Sequence, residues 1–142
     1  MTKSAKLILE KDIMPSASNL QILVVDDQQS MRELTRHCLK QMGINKVAVA
    51  KSGEDALGSL DKTKFDLIIS DWNMDGISGL ELLNKIRNNP IIKKLPFIMA
   101  TGQKEKTQII AAKEAGANNY IVKPFSTSDL KKRVEAVLGA LE

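Results

Sequence analysis

Asp26-Asp27, Asp71, Thr101 and Lys123 each stand directly after a short apolar run: Gln21–Val25, Leu67–Ser70, Phe97–Ala100 and Tyr120–Val122. If these runs are parallel strands, right-handed connections carry all their carboxyl ends to one edge of a sheet, where open α/β folds bind ligands. Three carboxylates gathered there repel one another, and at an effective dielectric of about 20 each close pair costs on the order of 4 kcal/mol. A divalent cation removes that repulsion. Oxygen ligands from one or two carboxylates, completed by water, are what Mg2+ prefers, with Mn2+ as a substitute, and no histidine lies in these turns to suggest zinc. Asp26 and Asp27 are adjacent and suited to share the ion. Asp71 stands alone at the end of a central run and is the expected nucleophile toward a phosphoryl group, with the Thr101 hydroxyl and the Lys123 ammonium supplying a donor and a charge for its oxygens. Phosphoryl transfer needs positioning and charge neutralisation more than a general base. Gly102, beside Thr101, lets a backbone N–H come close to a phosphate. Any one of these residues alone would be an ordinary turn former or solvated charge; the inference rests on the four strand ends together.

The elements that must position them follow from periodicity. With Val47–Ala50 the apolar runs number five and alternate with helix-period segments, the pattern of βα units around a parallel sheet. The first, third and fourth are continuously apolar, as strands covered on both faces should be. The first helix places Met31, Leu34, Thr35, Cys38, Leu39 and Met42 on one stripe and closes at Gly43. A second, about Glu54 to Leu60, follows Ser52 as cap and carries Gly58 in its interior, which weakens it by about 1 kcal/mol. The third opens on the capping box Ser78-Gly79-Leu80-Glu81 and ends at Asn88-Asn89-Pro90. The fourth spans about Thr107 to Ala115 and stops at Gly116. The fifth begins at Ser126-Thr127-Ser128-Asp129 and repeats Leu130, Val134, Val137, Leu138 and Leu141 on one face.

The chain's 142 residues suit one domain over 20–142, with 1–19 as a loosely attached arm and no length for a second output domain. Hydrophobic residues at 43% and charged residues at 27% are the balance of an ordinary folded protein. No apolar run approaches the roughly 20 residues of a membrane span, and Glu10, Lys11 and Asp12 interrupt the Leu7–Leu9 run where a secretory segment would be apolar. No membrane association is expected, and a cytoplasmic location is the default. Cys38 is the only cysteine and belongs to an apolar helix face, so packing is its expected role. The net charge of +4 comes from scattered lysines without interleaved aromatics, which argues against nucleic acid as a partner.

Ser70-Asp71-Trp72-Asn73-Met74, Gly79-Leu80-Glu81-Leu82-Leu83, Ala112, Ala115-Gly116-Ala117, Tyr120 and Lys123-Pro124-Phe125 resemble the response-regulator receiver family, specifically its CheY-like chemotaxis branch. The resemblance runs from about Leu20 to Leu141. It implies a flavodoxin-like five-stranded parallel sheet of order 2-1-3-4-5 with five helices on both faces. It further implies that Asp71 accepts phosphate from a histidine kinase of the chemotaxis type, and that Asp27, Asp71 and the Asn73 main-chain carbonyl coordinate Mg2+ with help from Asp26. A cis Lys123–Pro124 bond and a switch pair, Thr101 with Tyr120, are implied as well. The implied output is phosphorylation-dependent binding by a monomer to the flagellar motor switch protein FliM, through a face holding Lys104, Lys106, Ile109, Lys113, Tyr120 and Arg133, with a phosphatase as a further partner. Two positions depart from the family: Asp75 replaces the usual proline, and Ser78 replaces an aspartate.

Other readings differ in testable ways. A stand-alone receiver in another phosphorelay would pass its phosphate to a histidine phosphotransfer domain. A haloacid-dehalogenase-type phosphatase also places Asp, Thr and Lys at strand ends, but Asp71 is followed by Trp72-Asn73 instead of completing a DxD motif. A flavin carrier would want a hydroxyl- and glycine-rich cradle where Asp26-Asp27 stands.

Overall fold

The computed structural model describes residues 16–102 and 106–141. Five parallel strands, β1 (Gln21–Val25), β2 (Lys46–Ala50), β3 (Leu67–Asp71), β4 (Phe97–Thr101) and β5 (Asn119–Val122), form one sheet in the order β2-β1-β3-β4-β5. The helices between and after them are α1 (Gln29–Gln41), α2 (Gly53–Lys62), α3 (Gly79–Arg87), α4 (Lys106–Glu114) and α5 (Thr127–Leu138). The order expected from the resemblance is the one found.

Side chains on a strand alternate between faces, and here they feed two cores. Ile22 and Val24 of β1, Leu67 and Ile69 of β3, and Ile98 and Ala100 of β4 pack with Cys38 and Leu39 of α1 and Leu130 and Val134 of α5. Leu23, Val25, Ile68, Phe97 and Met99 turn the other way, against Ala56 of α2 and Leu82, Leu83 and Ile86 of α3. The three central strands are thus covered on both sides, which explains their unbroken apolar runs. Edge strands β2 and β5 are only half-buried.

Strands β3 and β4 each run one residue beyond their apolar stretch, so Asp71 and Thr101 are the last strand residues and not the first loop residues. The ladder pairs Asp71 with Ala100 and Thr101 with Val122, which holds the backbone beneath both side chains. Helix α1 buries Thr35, Cys38 and Leu39, whereas Leu34, expected on the same stripe, is 38% exposed because it lies at the stripe's margin. Gly43 takes φ 93° just past α1, the left-handed conformation that favours glycine after a helix. Both expected caps of α3 and α5 form in full, with reciprocal bonds between Ser78 and Glu81 and between Ser126 and Asp129. Ser52 caps α2 through a 3.1 Å bond from the Asp55 amide. Ser16 to Asn19 lie against the domain through a 3-10 turn, Ala17–Asn19, that buries Ala17; residues 1–15 lie outside the described residues. Among the described residues no helix is long and apolar enough to cross a membrane.

Gly58 of α2 has open space where a Cβ would stand. Gly58→Ala should therefore stabilise the domain by about 0.5–1 kcal/mol through the lower entropy of its unfolded chain, read as a higher urea midpoint. An unchanged midpoint would contradict this.

Candidate functional site

The β1 end turns directly into the site. The Asp26 amide donates to the Ala50 carbonyl at 3.1 Å, extending the β1–β2 ladder by one residue and fixing the backbone there. The Asp26 carboxylate is buried; it accepts the Gln28 amide at 2.9 Å on Oδ1 and the Lys123 ammonium at 2.8 Å on Oδ2. Its carbonyl accepts Arg32 Nη1 at 2.9 Å, a tie from the first turn of α1 that holds the strand end from below. Asp27 is exposed.

Asp71 is 9% exposed and its Oδ1 lies 3.0 Å from Lys123 Nζ. Burial pushes its carboxyl above the usual carboxylate range, the Asp26 charge pushes the same way, and Lys123 offsets only part of this. For Lys123, burial works to lower the pKa, but its hydrogen bonds to Asp26 and Asp71 and their charges outweigh that and raise it. The ammonium thus stays charged between two buried carboxylates. One oxygen each from Asp26, Asp27 and Asp71 lies within 4.8 Å of the others. An all-oxygen set this tight, already drawing one cation against it, suits a hard divalent ion.

Close packing beneath Asp71 sets where its carboxylate points. The Trp72 amide donates to the Ala100 carbonyl at 2.9 Å, and the Gly79 amide donates to the Trp72 carbonyl at 2.8 Å. A Cβ on Gly79 would lie 2.2 Å from the Asp71 carbonyl oxygen, so the start of α3 is seated directly on the nucleophile candidate's own backbone.

Thr101 is buried, and its hydroxyl donates to Gln108 Oε1 of α4 at 3.0 Å. That bond ties the end of β4 to α4, and the Lys123 amide donates to the Thr101 carbonyl at 2.8 Å and keeps the two strand ends in register. The Lys123–Pro124 peptide is cis, as the resemblance implied. Gly102 is exposed with open space around it, and Asn73 is exposed in the loop after β3.

Of the expected partner face, Ile109, Tyr120 and Arg133 line one open groove of about 860 Å³ along α4, β5 and α5. The Arg133 guanidinium lies 4.6 Å from the Tyr120 ring centroid, a cation–π contact, and donates to Asn119 Oδ1 at 3.1 Å. Lys106 and Lys113 are exposed on α4 but do not line the groove, and Lys104 lies outside the described residues.

Sequence reasoning did not single out Arg32, Gln108 or the close approach of Gly79. Arg32 carries a readable signal, a long cation in the first turn of the helix that follows a strand-end aspartate. Gln108 carries none, since an exposed-looking glutamine in a helix is ordinary.

The family model described as the response regulator receiver domain matches residues 22–135. The chain is 41% identical over 123 residues to chemotaxis protein CheY-3 of Vibrio cholerae, covering 87% of this chain and 95% of that protein. Among solved structures, CheY4 of Vibrio cholerae superposes with a TM-score of 0.78 at 34% identity, covering 84% of this chain and 98% of that one. Response regulator TrrA of Thermotoga maritima, solved in complex with Mg2+-BeF, gives a TM-score of 0.72 at 35% identity, over 82% of this chain and 96% of that one.

Proposed function

This chain belongs to the response regulator receiver family, and from that membership we propose that Asp71 accepts a phosphoryl group from a histidine kinase and that the phosphorylated chain signals by binding the flagellar motor switch protein FliM. The observation that carries this reading is the bridging ammonium of Lys123, 2.8 Å from Asp26 and 3.0 Å from Asp71, at an edge with three carboxylates.

Asp26, Asp27, Asp71 and the Asn73 main-chain carbonyl would hold Mg2+, or Mn2+ in its place. When bound, the ion supplies positive charge that lets an anionic donor approach this acidic edge. In the transfer, an Asp71 oxygen forms the new P–O bond while the donor's P–N bond breaks, and the departing imidazole keeps the electron pair. Lys123 exchanges part of its pairing with the carboxylate for a phosphoryl oxygen, and Thr101 turns its hydroxyl from Gln108 toward the phosphoryl group. Small phosphoryl donors serve in the kinase's place, and water later hydrolyses the acyl phosphate. The space and contacts released at Thr101 let Tyr120 rotate against Arg133 and reshape the groove, so that a partner reads phosphorylation there. Relatives named as chemotaxis proteins support the motor as the destination. FliM peptide should bind at least tenfold more tightly with beryllofluoride and Mg2+ than without. Binding that ignores the phosphate mimic, with transfer to a histidine phosphotransfer domain instead, would move the chain to a relay.

Cation affinity should depend on pH with a definite sign. Because Asp71 is held above the usual carboxylate range of about 4, it takes up its proton earlier as pH falls, and a protonated Asp71 is a poor ligand. Mg2+ affinity, followed by emission of the single tryptophan Trp72, should therefore begin to decline, as pH falls, above the range in which an ordinary aspartate takes up its proton. An affinity that holds constant until the ordinary aspartate range is reached would count against Asp71 as a ligand.

A further inference from the structure

The loop joining β3 to α3 carries Asn73 and is tied at both ends: at Trp72 by the Ala100 carbonyl and the Gly79 amide, and at Ser78 by the capping box. Its middle is held by a residue from elsewhere. The Ile77 amide donates to Glu54 Oε1 at 3.2 Å, across 23 residues of sequence. Gly76, at φ +81°, packs against the same carboxylate; a Cβ there would lie 2.8 and 3.0 Å from the two Glu54 oxygens. Gly53 completes the contact, since a Cβ on it would lie 2.3 Å from Ile77 Cγ1. The first turn of α2 is therefore fitted to the Gly76-Ile77 tip.

A glutamate in the first turn of a helix ordinarily serves its own helix, whose free amides favour negative charge. Glu54 does this and more. Hydrogen bonds from its own amide first, and from that of Ile77 next, hold its carboxyl below the usual range. The helix has its own cap in Ser52, and Asp55 accepts the Lys51 amide at 3.2 Å, so Glu54 is left to reach outward. The loop it reaches has Asp75 in the position before the left-handed Gly76. Proline favours that position of a type II turn by presetting its φ; aspartate leaves the turn free to open. A tie from outside the loop restores what the turn's own sequence lacks.

We propose that Glu54 is a positioning residue of the phosphoryl site, fixing the β3–α3 loop and its Asn73 carbonyl by accepting the Ile77 amide. The proposal rests on the reading of Asp71 as phosphoacceptor and of Asn73 as a main-chain ligand. Glu54 touches neither cation nor phosphate; it limits the positions of the loop that does. Displacing a group at such a site by about 1 Å is enough to cost up to about 100-fold in rate.

The test compares wild type, Glu54→Ala and Glu54→Gln as full-length chains. Three quantities are read: Mg2+ affinity from Trp72 emission, the initial rate of mass gain with acetyl phosphate and Mg2+, and the urea midpoint. Glu54→Ala should lose about tenfold in Mg2+ affinity and in rate while the chain remains folded at assay conditions. Glu54→Gln retains an acceptor oxygen and should stay within about threefold of wild type on both. Exchange of the Ile77 amide with deuterium should be accelerated in the alanine variant alone. Wild-type affinity and rate in a folded Glu54→Ala would overturn the proposal, and so would a glutamine variant as impaired as the alanine one, because charge and not the hydrogen bond would then be responsible. Wild type that takes up no phosphoryl group would instead overturn the underlying reading of Asp71, so the two failures are distinct.

Discussion

Asp71→Asn should gain no mass on incubation with acetyl phosphate and Mg2+, whereas wild type gains one phosphoryl group per chain. Asparagine keeps the size of the side chain and its place at the end of β3, but its amide cannot supply the anionic oxygen that forms the P–O bond. The variant should also be at least as resistant to urea as wild type at neutral pH without added metal. A carboxyl whose folded pKa is raised binds its proton more tightly in the folded state, so its contribution to stability falls as pH rises through the window between the unfolded and folded values. Replacing it with a neutral isostere removes that cost, and Lys123 keeps its 2.8 Å partner Asp26. A folded, stable and unlabelled variant separates a lost nucleophile from a lost fold. Full labelling of Asp71→Asn would place the acceptor elsewhere.

Gly79→Ala should damage both the fold and the site. The new methyl would fall 2.2 Å from the Asp71 carbonyl oxygen and 3.0 Å from Met99 Sδ. The thioether can rotate away; the carbonyl belongs to a strand paired on both sides and cannot. The first turn of α3 must therefore withdraw by about 1 Å, stretching the 2.8 Å bond from the Gly79 amide to the Trp72 carbonyl. Overpacking of this kind costs about 1–3 kcal/mol. A nucleophile displaced on that scale should lose about 100-fold in the rate of phosphoryl uptake. Wild-type urea midpoint and wild-type rate together would show that α3 moves more freely than its packing implies.

The fold was legible because its signals are local and repeated. Ile22–Val25, Leu67–Ile69 and Phe97–Ala100 announce strands buried on both faces, and the Ser78/Glu81 and Ser126/Asp129 boxes mark two helix starts within four residues of sequence each. The meeting of Asp26, Asp71 and Lys123 at one edge was legible, because each follows such a strand and parallel topology brings those strand ends together. The site's internal wiring was not. Lys123 is read from the sequence as a fixed charge for phosphoryl oxygens, and nothing in that reading names its bridge between Asp26, 97 residues away, and Asp71. Thr101 was expected to face the same centre, and its hydroxyl is engaged by Gln108. Side chains at a shared edge choose partners by rotamer and by the charge left uncompensated, and neither is written in strand-end spacing. Glu54 and Ile77 illustrate the same gap, since nothing in Gly53-Glu54 names a loop 23 residues on.

The most direct measurement of the central claim is the residue that carries the phosphoryl group. Wild type labelled with acetyl phosphate and Mg2+, reduced with borohydride and digested, should yield homoserine at position 71, the product expected only of an acyl phosphate on that carboxyl. Homoserine at 26 or 27, or a borohydride-resistant phosphate on a serine or threonine, would contradict the account.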